Sequence, residues 1–176
     1  MTTETMFRRD RAILRATRAL IQDETLWCRD DYYQDHNGAT LRIMHDQDRS
    51  MIARMNVIGA LACVSGDVTD PGCSEGSHQG SSLLDAARAY LDDDRGGDES
   101  DGYEHDDPIG EIEMYHGHEA ILRVIDDATE SLTSIIDRMV AHDATRQARV
   151  DAGDRNEHER RTNPPEHHIT GSGWVD

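Results

Sequence analysis

Lysine is absent from this chain of 176 residues, and all eighteen basic side chains are arginine. Aromatic residues are scarce, with a single Phe and two Trp, so a core has to be assembled from Ile, Leu, Val, Met and Ala. Those residues suit packed helices better than a β-sandwich. No apolar run reaches the roughly 18 residues that a membrane-spanning helix needs. The first apolar stretch, residues 13–21, is interrupted by Arg15 and Arg18 and lacks a small-residue cleavage site. No signal peptide is therefore expected, and the corresponding location is the cytoplasm. Three cysteines, Cys28, Cys63 and Cys73, cannot all pair within one chain and form no CxxC unit, which argues against a disulfide framework or a zinc ribbon. Cys63 falls on an apolar helical pattern and is expected to act as a small core residue. Motifs of catalysis are missing as well: there is no GxSxG, no HExxH and no Gly-rich phosphate loop. No catalytic residue and no cofactor is assigned, and the chain reads as non-enzymatic.

What is abundant is negative charge. Thirty-six carboxylates against eighteen arginines give a formal net charge of −18. Duplex DNA and anionic membranes would repel such a surface, so neither is an expected partner. A GC-rich genome explains the use of Arg without Lys; adaptation to a high-salt cytoplasm is the second explanation. The charge is not evenly spread. Residues 92–113 hold eleven carboxylates, Asp92, Asp93, Asp94, Asp98, Glu99, Asp101, Glu104, Asp106, Asp107, Glu111 and Glu113, against the one cation Arg95. Concentrated charge can steer a partner of opposite sign. As a calcium loop the segment fails. An EF-hand register from Asp92 puts Gly96 at position 5 and Tyr103 at position 12, and one from Asp98 puts Tyr103 at position 6, where Gly is required. With four glycines interspersed, the segment reads as a solvated loop.

Apolar spacing predicts a mainly α fold, a bundle of about four helices in one domain over residues 1–145, followed by a polar tail over 146–176. The first helix, Met6 to Glu24, carries Ile13, Leu14, Thr17, Leu20 and Ile21 on one face. A second spans Asp48 to Val64, with Gly59 permitting close approach of a neighbour and Gly66 ending it. Between them, Asn37-Gly38 signals a short β-hairpin near residues 31–44, an irregular loop being the alternative. Residues 67–81 read as a surface loop, after which Ser81 or Ser82 caps a third helix. In the fourth helix Ile121, Ile125, Ala128, Leu132, Ile135 and Met139 follow heptad spacing. Leu122, Ile136 and Val140 widen that stripe, which favours the core of a bundle over the seam of a homodimer.

Ahead of this helix stands His116-Gly117-His118-Glu119. Two histidines and a carboxylate could share a metal, but three or four ligands are needed for a tight site. The preferred reading is that His116 lies in the preceding loop and His118 near the cap, with no metal.

The order of elements carries a resemblance. Ala19-Leu20-Ile21, Trp27-Cys28, Gly38, Gly59-Ala60-Leu61, Asp85-Ala86-Ala87 and Val124-Ile125-Asp126-Asp127-Ala128 together resemble an uncharacterised, mostly helical family of small proteins of actinobacteria and their phages. The resemblance covers roughly Arg11 to Leu132. Where that family usually has a Trp-Asn-Asp-like turn, this chain has Met114-Tyr115-His116. The resemblance implies no activity; it implies a GC-rich bacterial or phage origin and, for a phage, the host cytoplasm.

The functional expectation is an acidic interaction protein that docks a basic protein surface through Asp92, Asp93, Asp94, Asp98, Glu99, Asp101, Glu104, Asp106 and Asp107. One version is DNA mimicry, with carboxylates in phosphate-like positions. The alternative, from another class, is a metal-binding protein or metal-dependent enzyme centred on His116, His118 and Glu119.

Overall fold

Residues 2–29, 31–75, 77–94 and 107–162 are described by the structure, a computed structural model. Thr2 starts the first helix, α1 (Thr3–Ile21), its hydroxyl accepting the Thr5 N–H at 3.3 Å. Such a cap satisfies one of the donors that a helix N-terminus leaves without a partner. The buried face of α1 is Asp10, Leu14, Thr17 and Ile21. Ile13 is only partly covered and Leu20 is exposed, so the stripe is narrower than its apolar spelling.

Two short strands follow, β1 (Tyr33–Gln34) and β2 (Arg54–Met55), paired antiparallel with Tyr33 opposite Met55. The Asn37-Gly38 turn forms with Gly38 at φ 80°. It is closed by the Asp35 N–H donating to the Ala39 carbonyl at 2.9 Å and by a single bridge between Gln34 and Thr40.

The second helix is shorter than its periodicity suggested. Asp46–Met51 is a 3₁₀ turn and Arg54–Met55 is β2, so α2 spans only Val57–Ser65. Asn56 sets the boundary: its side chain accepts the Gly59 N–H at 2.8 Å. At the other end Gly66 adopts φ 97°, the left-handed cap expected of it. Gly59 faces the chain before β1 so closely that a Cβ built there would stand 2.1 Å from the Tyr32 carbonyl oxygen.

Within the segment expected to be a loop lies a single turn, α3 (Gly72–Glu75), and α4 (His78–Asp94) begins earlier than Ser81. The cap is Ser77, whose hydroxyl accepts the Gly80 N–H at 3.0 Å. The expected acidic loop over 92–113 is also corrected. Asp92, Asp93 and Asp94 form the last turn of α4, and a further helix, α5 (Pro108–Tyr115), takes up the other end. Gly117, at φ 80°, turns the chain from α5 into α6 (His118–Thr162).

Two compact units divide at Ile136/Asp137. In the first, Leu14 and Ile21 of α1, Leu61 of α2, Leu83 and Leu91 of α4 and Ile112 of α5 share one core with Ile121, Ile125, Ala128 and Leu132 of α6. The heptad seam is thus buried inside the chain as far as Ile136, with Ile135 only half covered. In the second unit the described residues, to Thr162, are helical; those from 146 onward, expected as a polar tail, are exposed wherever their side chains are described. Asp151 accepts from Gln147 at 2.8 Å, and Arg161 pairs with Glu157 at 2.5 Å, the i,i+4 contacts that support a helix without a core. Asn163-Pro164-Pro165 and Trp174 lie outside the described residues.

Candidate functional site

Asp107 accepts the Gly110 N–H at 2.9 Å and Pro108 occupies the first helical position, so α5 begins within the acidic segment. Ile109, Ile112 and Glu113 then lie three and four residues apart, on one helix face. Glu113 is consequently carried inward with the isoleucines and is only 3% exposed. Its Oε1 accepts the Val57 N–H at 3.1 Å, and its Oε2 accepts the Asn56 Nδ2–H at 3.4 Å. Glu113 and Asn56 between them satisfy the start of α2, where unpartnered donors and the positive end of the helix dipole favour an anion.

Burial opposes that preference and prevails. Removal from water pushes the Glu113 carboxyl up to about 8. The Val57 N–H and the nearby Trp27 indole pull the other way, while Asp107 adds to the rise. Trp27 Nε1 is itself buried without a well-aligned hydrogen bond. At neutral pH Glu113 is therefore mainly a neutral acid, able to donate a proton as well as accept a hydrogen bond.

Glu113 lines a cleft of about 760 Å³, a volume within the range of small-ligand sites. Four carboxyl residues from three places in the sequence meet there: Asp31, Asp70, and Asp107 with Glu113. Arg29 and Arg42 line it too, and the Arg29 guanidinium lies 5.9 Å from the centre of the Trp27 ring. Cys28, close by, is no nucleophile. Burial pushes its thiol up to about 12, reinforced by Glu113 and Asp31, and its Sγ–H donates to the Asp31 carbonyl at 3.1 Å. Burial likewise raises the Tyr33 phenol. Cys63, expected in the core, packs partly buried against the cluster of Tyr33, Ile43 and Val68.

The residues singled out from sequence are distributed unevenly about this cleft. Asp107 lines it; Asp92, Asp93 and Asp94 are exposed on α4. Asp98, Glu99, Asp101, Glu104 and Asp106 lie outside the described residues. His116 stacks edge-on against Tyr90, its ring 5.5 Å away. His118 turns inward, 8% exposed, with Nε2 at 2.5 Å from the Ile21 carbonyl and its ring against Trp27. Glu119 is exposed. Among the described residues no three His, Cys, Asp or Glu side chains are grouped as metal ligands, and no helix is long and apolar enough to cross a membrane.

Sequence reasoning counted Glu113 as one more charge in an acidic run and passed over Asp31, Asp70 and Asn56. The i+3, i+4 spacing from Ile109 was the available signal for Glu113; nothing local marks the others.

No curated protein and no solved structure matches the chain. A family profile matches residues 7–131, from α1 into the first half of α6 and across the whole cleft. The chain belongs to DUF6197, a family of unknown function.

Proposed function

We propose that the protein is a non-enzymatic binding protein, of bacterial or phage origin and working in the cytoplasm, that docks a basic protein surface through its acidic segment. The observation that carries this reading is convergence. The segment of residues 92–113, with a net charge of −10, brings Asp107 and Glu113 to a cleft that Asp31 and Asp70 also line. Asp92, Asp93 and Asp94 add exposed carboxylates at the C-terminus of α4, where the dipole is already negative. Such a surface accelerates encounter with a cationic partner and weakens as salt screens it.

The test compares two variants of equal charge change. One replaces Asp92, Asp93, Asp94 and Asp107 with Asn, which preserves the cap on α5. The other replaces Asp137, Asp143, Asp151 and Asp154. Capture from lysate of the source cell at low salt should yield a basic protein with the wild type and the second variant. With the first variant its recovery should fall about tenfold or more, and raised salt should have the same effect. Identical profiles for the two variants would remove the proposal. Displacement of that partner by duplex DNA would identify the docking as DNA mimicry.

A further inference from the structure

The second unit carries a charge pattern of its own. Residues 1–136 hold twenty-eight carboxylates against twelve arginines, whereas residues 137–162 hold six of each. The first three of those six arginines share a face. At about 100° per residue, Arg138, Arg146 and Arg149 fall with His142 inside an arc of roughly 80° on α6. Asp137, Asp143, Asp151 and Asp154 all lie outside that arc. Asp143, the one carboxylate in the sequence between Arg138 and Arg149, stands beside His142 with 3.7 Å between its Oδ1 and the ring Nδ1.

Every side chain from Val140 to Arg155 is exposed. A helix with so little packing is marginal in water, and a partner laid along one face stabilises it. Arg146 and Arg149 have no carboxylate partner among the described residues. With His142, Thr145 and Val150 they line a second, shallow cleft of about 400 Å³. Guanidinium groups suit two kinds of acceptor, carboxylates and the carbonyls that end a helix. Asp92, Asp93 and Asp94, exposed in the last turn of α4, present both at once, and the helix dipole there is negative as well. Duplex nucleic acid, the other polyanion that a basic face could take, would have to approach a first unit of net charge −16.

We propose that the arginine face of one copy docks on the last turn of α4 in a second copy, and reciprocally, so that two copies close into a dimer. For its acidic half the inference rests on the docking reading above; it names a second copy of this chain as the bearer of the basic surface. Sedimentation of the purified full chain tests it. At about 25 mM salt the wild type should dimerise with a dissociation constant on the order of 10 μM, weakened about tenfold at about 300 mM. R146E/R149E should weaken the dimer about tenfold or more, and so should D92R/D93R/D94R. Mixed in equal amounts, these two variants should pair again: the new glutamates of one meet the new arginines of the other, and the reciprocal contact is the wild-type one. R155E/R161E, an equal change of charge off that face, should leave the dimer within about twofold. All these positions are exposed, so the variants should fold, which far-UV circular dichroism checks. A wild type that stays monomeric at about 100 μM and low salt would overturn the inference. Capture of a different basic protein from lysate would be untouched by that result, and it tests the docking reading on its own. A dimer that R146E/R149E leaves intact, a dimer lost equally in R155E/R161E, or two reversed variants that stay monomeric when mixed would overturn the inference as well.

Discussion

Stability of the wild-type chain should fall as pH is raised from about 4.5 to about 8, and Glu113→Gln should remove most of that fall. The sign follows from which state holds the proton. Between the ordinary carboxyl value of 4.5 and the raised value of about 8, the folded chain keeps Glu113 protonated while the unfolded chain releases that proton. Each pH unit in this window therefore costs the folded state up to about 1.4 kcal/mol, and the loss levels off above the raised value. Over the whole window the cost is on the order of 4 kcal/mol. Gln has the same shape, still offers an oxygen to the Val57 N–H and carries no charge to desolvate. Urea denaturation at pH 5 and at pH 9 measures the effect. E113Q should be close to wild type at pH 5 and more stable by a few kcal/mol at pH 9. Parallel pH profiles would mean that the start of α2 holds Glu113 ionised after all. The comparison also separates Glu113 from general self-repulsion in a chain of net charge −18, which both proteins share.

Gly59→Ala should be the more damaging of the small-residue changes in α2, costing about 3 kcal/mol. Elsewhere in a helix the same substitution gains up to about 1 kcal/mol through propensity. Here the new methyl would stand 2.1 Å from the Tyr32 carbonyl oxygen and 3.0 Å from Tyr33 Cε1. The first neighbour is backbone, so the turn before β1 must move as a unit. Tyr32 and Tyr33 both line the first cleft, and its shape would change with them. Thermal unfolding reads the loss; a G59A protein that melts at or above the wild-type temperature would show that β1 and α2 separate readily. Gly153, on the exposed part of α6 with nothing near its missing Cβ, is the matching control.

Helices were legible wherever one apolar face ran for several turns. The stripe of α6 from Ile121 to Leu132 and the core side of α4 needed no more than spacing. Spacing misled at Ile52 and Met55, which continue the periodicity of α2 although the chain there is a turn and a strand. The true boundary rests on the cap at Asn56, a contact whose second half comes from Glu113, 57 residues away. Charge misled in the same manner at α5. Eight residues with one glycine and two carboxylates among them read as loop, although Asp107 and Pro108 already spell a helix start. The first cleft was illegible for a different reason: Asp31, Asp70 and the α5 pair Asp107 and Glu113 come from three separate segments, and only packing brings them to one cleft.

Glu113 and His118 flank Gly117, and each closes the end of a helix far away in the chain. Glu113 takes the first N–H of α2 and His118 meets the last carbonyl of α1, 97 residues distant. In terms of local unfolding, this joins three elements into one cooperative unit. The last turn of α1 and the first turn of α2 cannot keep those bonds once the α5–α6 junction lifts. Amide exchange should accordingly show the Val57 N–H opening with the same free energy as the amides of α5, and not with those of α2's C-terminal turn. Gly117, the left-handed glycine of that junction, thereby acts as the clasp of the first unit, setting the order in which it comes apart.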